Sequence, residues 1–181
     1  STWRNATGPL QTAVTLLHEA GIPAATVEEW VGHDSAEEDF GAGLWTRDLD
    51  GDGELDLLTG IPDANSETGE LVWHGATVAT DFSVPTGSQA TWTGTGAGSR
   101  VGASVLPVGD FDGDGVEDLL VTDAIGNGGE PAVLLLSTDA PSGDVSGSTW
   151  AWSTSIGGTG LGQVLLDLGD IDGDGRTEVL L

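Results

Sequence analysis

Aspartates recur in this sequence with a spacing that suits a hard cation. The strings DLDGDGELDLL, DFDGDGVEDLL and DIDGDGRTEVLL begin at Asp48, Asp110 and Asp170, intervals of 62 and 60 residues. Counting from each first residue, positions 1, 3, 5 and 9 hold Asp48, Asp50, Asp52 and Asp56 in the first string. They hold Asp110, Asp112, Asp114 and Asp118 in the second, and Asp170, Asp172, Asp174 and Glu178 in the third. In a tight turn alternate side chains point inward, so odd positions can converge on one centre. Gly51 and Gly53 let the backbone take the positive φ angles that curl it around an ion. Position 7 is Glu54, Val116 or Arg176. Such unlike side chains fit a position that contributes only its backbone carbonyl.

Clustered carboxylates repel one another strongly unless a cation neutralises them. Several carboxylates, one carbonyl and room for water suit Ca²⁺, whereas Mg²⁺ demands a tighter octahedron with fewer carboxylates. Zn²⁺ would call for His or Cys, and the three strings have neither. Three calcium sites are therefore expected. The opening D-x-D-x-D-G is shared with the EF-hand, but that loop needs a bidentate Glu at position 12 and helices on both sides. Position 12 here is Thr59, Val121 or Leu181, the flanks are Gly-rich and β-branched, and dockerin pairs lie much closer together than sixty residues. Plain acidic hairpins without an ion are the bland alternative, and three copies in register weigh against it. The third string is expected to be the weakest, because Glu178 stands where the others carry Asp.

The whole chain bears out the same emphasis on acid. Its 181 residues carry 30 acidic side chains against four basic ones, a formal net charge of −26. A surface of that sign repels nucleic acid and anionic lipid, so neither is an expected partner. Apolar runs such as Val133–Leu136 are far too short to span a bilayer, and membrane insertion is not expected. Cysteine is absent, which excludes disulfides and thiolate metal sites. Seven tryptophans and the Val/Leu clusters separate the chain from a disordered acidic tail.

Each acidic string lies between two apolar stretches. Those before it are Gly43–Trp45, Val105–Val108 and Val164–Leu166; those after it are Leu55–Leu58, Val116–Thr122 and Val179–Leu181. Two further apolar runs fill each interval, Leu71–Trp73 and Ala90–Thr93, then Ala132–Ser137 and Thr149–Ser153. Runs of this length bounded by Gly, Pro, Asp and Ser read as strands. Four strands per period of about sixty residues match the four-stranded blades of a β-propeller. The expected fold is thus all-β, with blades of four antiparallel strands. Residues 40–99 and 100–160 make full blades, and residues 161–181 the first two strands of another. Residues 1–39 supply the last two strands of a blade, at Ala13–Leu17 and Ala25–Val31. Strands numbering two, four, four and two suggest a segment of a longer propeller, or blades completed by another copy.

With its loops and spacing, the sequence resembles the FG-GAP repeats of β-propellers of the integrin α-subunit type. Phe40-Gly41 precedes the first loop, and Gly60-Ile61-Pro62 follows it where the family has Gly-Ala-Pro. Later repeats drift to Val101-Gly102 with Thr122-Asp123-Ala124, and to Leu161-Gly162. The resemblance implies that the calcium loops join the two innermost strands of each blade on one face. Ligands would then meet the opposite face, formed here by Ile61–Gly69, Ala124–Pro131, Ser35–Asp39, Gly96–Arg100 and Gly157–Gly160. It also implies a secreted or cell-surface protein, in agreement with millimolar extracellular calcium suiting weak loop sites. A non-catalytic role in adhesion, recognition or structural assembly is the leading expectation, with a protein or glycan ligand. The alternative is the propeller portion of a secreted enzyme acting on polysaccharides or phosphodiesters. His18, His33 and His74 show no relay spacing with Ser, Cys or a metal ligand, so no catalytic residue is assigned. Trp150 and Trp152 share one face of a strand by period two, and packing between blades is the expected role.

Overall fold

The computed structural model describes residues 42–53, 56–75, 89–124, 131–139, 142–148, 150–153, 161–162, 164–174 and 176–181. The expected strands at Ala13–Leu17 and Ala25–Val31, together with His18 and His33, lie outside these residues.

The described chain is largely antiparallel β-sheet. Strands β1 (Leu44–Arg47), β2 (Asp56–Ile61), β3 (Glu70–His74) and β4 (Ala90–Thr93) pair antiparallel in that order. Strands β5 (Val105–Gly109), β6 (Asp118–Asp123) and β7 (Ala132–Ser137) repeat the arrangement. A two-residue strand, β8 (Gly143–Asp144), pairs parallel with β4 and so extends the first sheet. Strand β9 (Trp150–Ser153) closes the second sheet beside β7. Finally β10 (Leu166–Gly169) and β11 (Glu178–Leu180) form an antiparallel pair. Each acidic string is the link from β1 to β2, β5 to β6 or β10 to β11.

Packing follows the two-residue period of the strands. Leu58, Leu71 and Trp73 of the first sheet share a buried cluster with Leu119, Val121 and Leu134 of the second. The next residue along β6, Leu120, faces the other way and joins Leu106, Val133 and Leu135. Against that second cluster pack Leu165 and Val179 of the third unit. Central strands β2, β6 and β7 are buried throughout their lengths, which explains their unbroken apolar runs.

Glycines set the closest approaches between sheets. Gly102 has φ +91°, and a Cβ there would stand 2.7 Å from the Cα of Gly60. The same contact recurs one unit later: a Cβ on Gly162 would collide with Thr122 and lie 3.0 Å from the Val133 side chain. Gly60 and Thr122 are equivalent positions, as are Gly102 and Gly162, so the internal repeat is also a repeat of packing.

The turn at Ala64–Glu67 is wound left-handed, with Asn65, Ser66 and Glu67 at φ 53°, 62° and 63°. L-residues resist this conformation, so the neighbours must hold it. Arg100 does so, pairing its guanidinium with Asp63 at 2.6 Å and donating its N–H to the Glu67 carbonyl at 3.0 Å. Gly98 donates to the same carbonyl at 2.9 Å. Two segments expected on one face, Ile61–Gly69 and Gly96–Arg100, are thereby bonded to each other. No described helix is long and apolar enough to cross a membrane.

Candidate metal centres

The three acidic loops are built on one hydrogen-bond frame. The first aspartate folds back over the turn: Asp48 accepts the N–H of Gly51 at 2.7 Å through Oδ1 and that of Gly53 at 3.0 Å through Oδ2. Asp110 accepts Gly113 and Gly115 at the same two distances. Asp170 accepts Gly173 at 2.6 Å. The third-position carboxylate then takes the N–H two residues on, from Asp52 to Asp50, Asp114 to Asp112 and Asp174 to Asp172, at 3.1, 3.2 and 3.1 Å. Fifth-position Asp114 and Asp174 accept the N–H of Val116 and Arg176, both at 2.9 Å. Gly51, Gly53, Gly113, Gly115 and Gly173 all have positive φ, the conformation these loops require of glycine.

The ninth residue locks the loop to the sheet. It is the first residue of β2, β6 or β11, and its carboxylate reaches back to the N–H of position 2. The pairs are Leu49 with Asp56 at 2.9 Å, Phe111 with Asp118 at 2.9 Å, and Ile171 with Glu178 at 2.6 Å. Asp56 and Asp118 are buried, which is unusual for carboxylates.

Carboxylate oxygens converge in every loop. Mutual separations within 4.8 Å unite Asp48, Asp50 and Asp56 in the first, and Asp110, Asp112 and Asp118 in the second. In the third they unite Asp170, Asp172, Asp174 and Glu178. Asp52 and Asp114 stand outside these sets, whereas their equivalent Asp174 is inside. The third loop therefore gathers the most carboxylates, the additional one being Asp174, and Glu178 takes the same place in its set as Asp56 and Asp118 in theirs. Glu54 lies outside the described residues; Val116 and Arg176 sit where the repeat places position 7.

Asp118 tests whether a cation fits. Its Oδ2 accepts from Phe111 and from Asp112, the latter at 3.2 Å, while buried Oδ1 has no hydrogen-bond partner. An unpartnered buried carboxylate oxygen is costly, and a bound cation would satisfy it. Burial pushes the Asp118 carboxyl above its ordinary range, opposed by the backbone N–H groups of Asp112 and Phe111. The carboxylates of Asp112 and Asp114 push it higher still. Hard oxygen donors around a buried oxygen of this kind match Ca²⁺ chemistry.

Several supporting residues carry no sequence signal of their own. Gln89 donates to Asp50 Oδ2 at 3.3 Å. Arg47 meets Glu117 at 3.1 Å across the boundary between the first two sheets. A cavity of about 410 Å³ separates the first and second loops there, lined by Asp48, Asp50, Trp73, Val116 and Glu117 among others. Phe111, at position 2 of the second loop, meets Trp150 and Trp152 edge-on at 6.3 and 6.4 Å. Trp152 packs on the second core cluster as expected, whereas Trp150 stays 47% exposed. His74 is a core residue at the end of β3, held neutral by burial with its pKa lowered to about 3.

No protein-family model matches this chain.

Proposed function

We propose that the chain is a calcium-stabilised β-propeller module of the FG-GAP, integrin-like type, secreted or displayed on a cell surface. Its role is adhesion, recognition or structural assembly rather than catalysis. The single observation behind this reading is the repetition of one hydrogen-bond frame, with converging carboxylates, in three loops a sheet apart. Independent surface acids would not share backbone donors position by position.

In each loop the carboxylates at positions 1, 3 and 9 would hold the ion, joined by Asp174 in the third and by the carbonyls of Glu54, Val116 and Arg176. Bound calcium supplies positive charge where folding brings carboxylates together, and so closes the hairpin. The protein or glycan partner would meet the opposite ends of the sheets, near the left-handed turn. Further blades of the same kind, or self-association, would cover the apolar side chains of Leu166, Leu168 and Leu180, which are 47%, 41% and 54% exposed.

Calorimetry with calcium tests the reading, and three binding events per chain are expected. If each site binds only the folded form, free calcium at about 100 times Kd adds about 2.7 kcal/mol per site. Chelation should therefore lower the melting temperature markedly, and magnesium should restore it poorly. An identical melt with and without chelator refutes the structural role of calcium. Turnover of a polysaccharide or phosphodiester refutes the non-catalytic one.

A further inference from the structure

We propose that Glu117 and Arg47 are positioning residues that couple the first cation loop to the second, so that filling one tightens the other. This rests on the calcium reading above and adds a regulation that the loops alone do not imply. Glu117 is largely buried, its side chain 13% exposed. One oxygen, Oε1, accepts the N–H of Gly109 at 3.0 Å and meets Arg47 Nε at 3.1 Å. Gly109 directly precedes Asp110, and Glu117 directly precedes Asp118. A single carboxylate oxygen thus ties the entry of the second loop to its exit. It does so where the β5–β6 register shifts and Gly109 turns to φ +74°.

Arg47 brings the first loop into this tie. It is the last residue of β1 and directly precedes Asp48, whose two oxygens hold Gly51 and Gly53. Ordering the first loop therefore fixes the stem from which Arg47 reaches Glu117. The other loops carry no carboxylate there: Leu55 and Thr177 occupy the position equivalent to Glu117. In the third loop the N–H of Gly169 is instead taken by Asp167 of its own strand, at 2.6 Å. Among the described residues, the second loop is the one whose closing carboxylate also pairs with a side chain of a neighbouring sheet. Because binding free energies are linked reciprocally, an ion in the second loop must favour the first by the same factor.

Charge alone predicts the opposite sign for Arg47. A guanidinium beside acidic loops lowers their attraction for a cation, so its removal would strengthen binding through the field. Positioning predicts that removal weakens binding. The test is a calcium titration of the full chain followed by ¹⁵N-resolved NMR. The amides of Gly113 and Gly115 report the second loop, those of Gly51 and Gly53 the first, and that of Gly173 the third. With Arg47→Gln the product of the first- and second-loop calcium midpoints should rise about fivefold, the lower end of typical couplings between sites. The loop that fills second should carry most of that rise, or both should share it when they fill together, while the third midpoint stays in place. Glu117→Gln should raise the second-loop midpoint as well. The double variant should be no worse than the worse single one, because both break the same link.

A product of midpoints that is unchanged or lower in Arg47→Gln overturns the coupling, as does an equal shift at Gly173 or strict additivity in the double variant. A bridge that only braced the fold would lower the melt equally in calcium and in chelator and leave every midpoint in place, which also overturns it. A wild-type chain whose glycine amides ignore calcium defeats the calcium reading itself. A wild type that binds, with variants that bind alike, defeats only the link.

Discussion

Replacing Asp118 by Asn should move stability in opposite directions with and without calcium. Asn preserves the shape of the side chain and keeps an acceptor for the N–H groups of Phe111 and Asp112. It removes a charge that is buried, pushed toward protonation by desolvation and placed beside Asp112 and Asp114. In chelator the variant should therefore melt at the wild-type temperature or above it. In calcium the lost carboxylate weakens the site. At free calcium near 100 times Kd the second loop contributes about 2.7 kcal/mol, and a hundredfold rise in Kd would reduce this to about 0.4 kcal/mol. The difference of about 2 kcal/mol corresponds to roughly 4–8 °C for a domain of this size. Differential scanning calorimetry at millimolar calcium and in chelator measures both arms. A loss of equal size in the two conditions would show that the Asp118 carboxylate stabilises the fold without an ion, and the reasoning from its unpartnered oxygen would fail.

The remaining expectations concern the frame around the loops. His74 has a folded pKa of about 3 against 6.5, so the folded chain binds fewer protons between those values. Its contribution is complete above pH 6.5 and is lost as the pH falls toward 3, by at most about 5 kcal/mol. His74→Gln should flatten the fall in melting temperature between pH 7 and pH 4, and an unchanged slope would refute the assignment. Trp92 is fully buried in the cluster between the first two sheets, and Trp92→Ala should cost about 3–5 kcal/mol in a denaturant titration. Gly102→Ala would place a Cβ 2.7 Å from the Gly60 Cα at φ +91°. It should lower the melting temperature far more than Gly147→Ala, whose Cβ would meet open space.

The strands were legible where turn-forming residues bracket an apolar run. Leu71–Trp73, Ala90–Thr93 and Ala132–Ser137 fall where their composition places them. Boundaries beside the loops were less so. The runs Leu55–Leu58 and Val116–Thr122 suggest strands that start before position 9. Instead β6 begins at position 9, with Asp118, whereas Leu55 lies outside the described residues. Apolar content marks what is buried, while the ladder starts where the ninth carboxylate folds back onto position 2. The left-handed turn had no signal, because Asp63 and Glu67 at its two ends are held by Arg100, more than thirty residues away in sequence. In the third loop the longer Glu178 side chain still brings an oxygen to Asp170, Asp172 and Asp174, a reach that the residue type allows but does not fix.

Loops and sheet contacts are one mechanical system, because in the second and third loops the ninth residue directly precedes a side chain that packs against the adjoining sheet. Asp118 is followed by Leu119, which joins Leu58 and Trp73 in the cluster shared with the first sheet. Glu178 is followed by Val179, which packs on Leu120 and its neighbours in the second. Successive side chains in a strand point to opposite faces, so a one-residue slip at position 9 would carry Leu119 out of its cluster and bring Leu120 toward it. The carboxylate bonds to Phe111 and Ile171 oppose that slip, and an ion held by the same carboxylates would oppose it further. Neutralising a loop thus sets the register of an interface rather than merely tidying a turn. Trp73 lies both in that interface and on the cavity between the first two loops, so its fluorescence should respond to calcium before the sheets unfold.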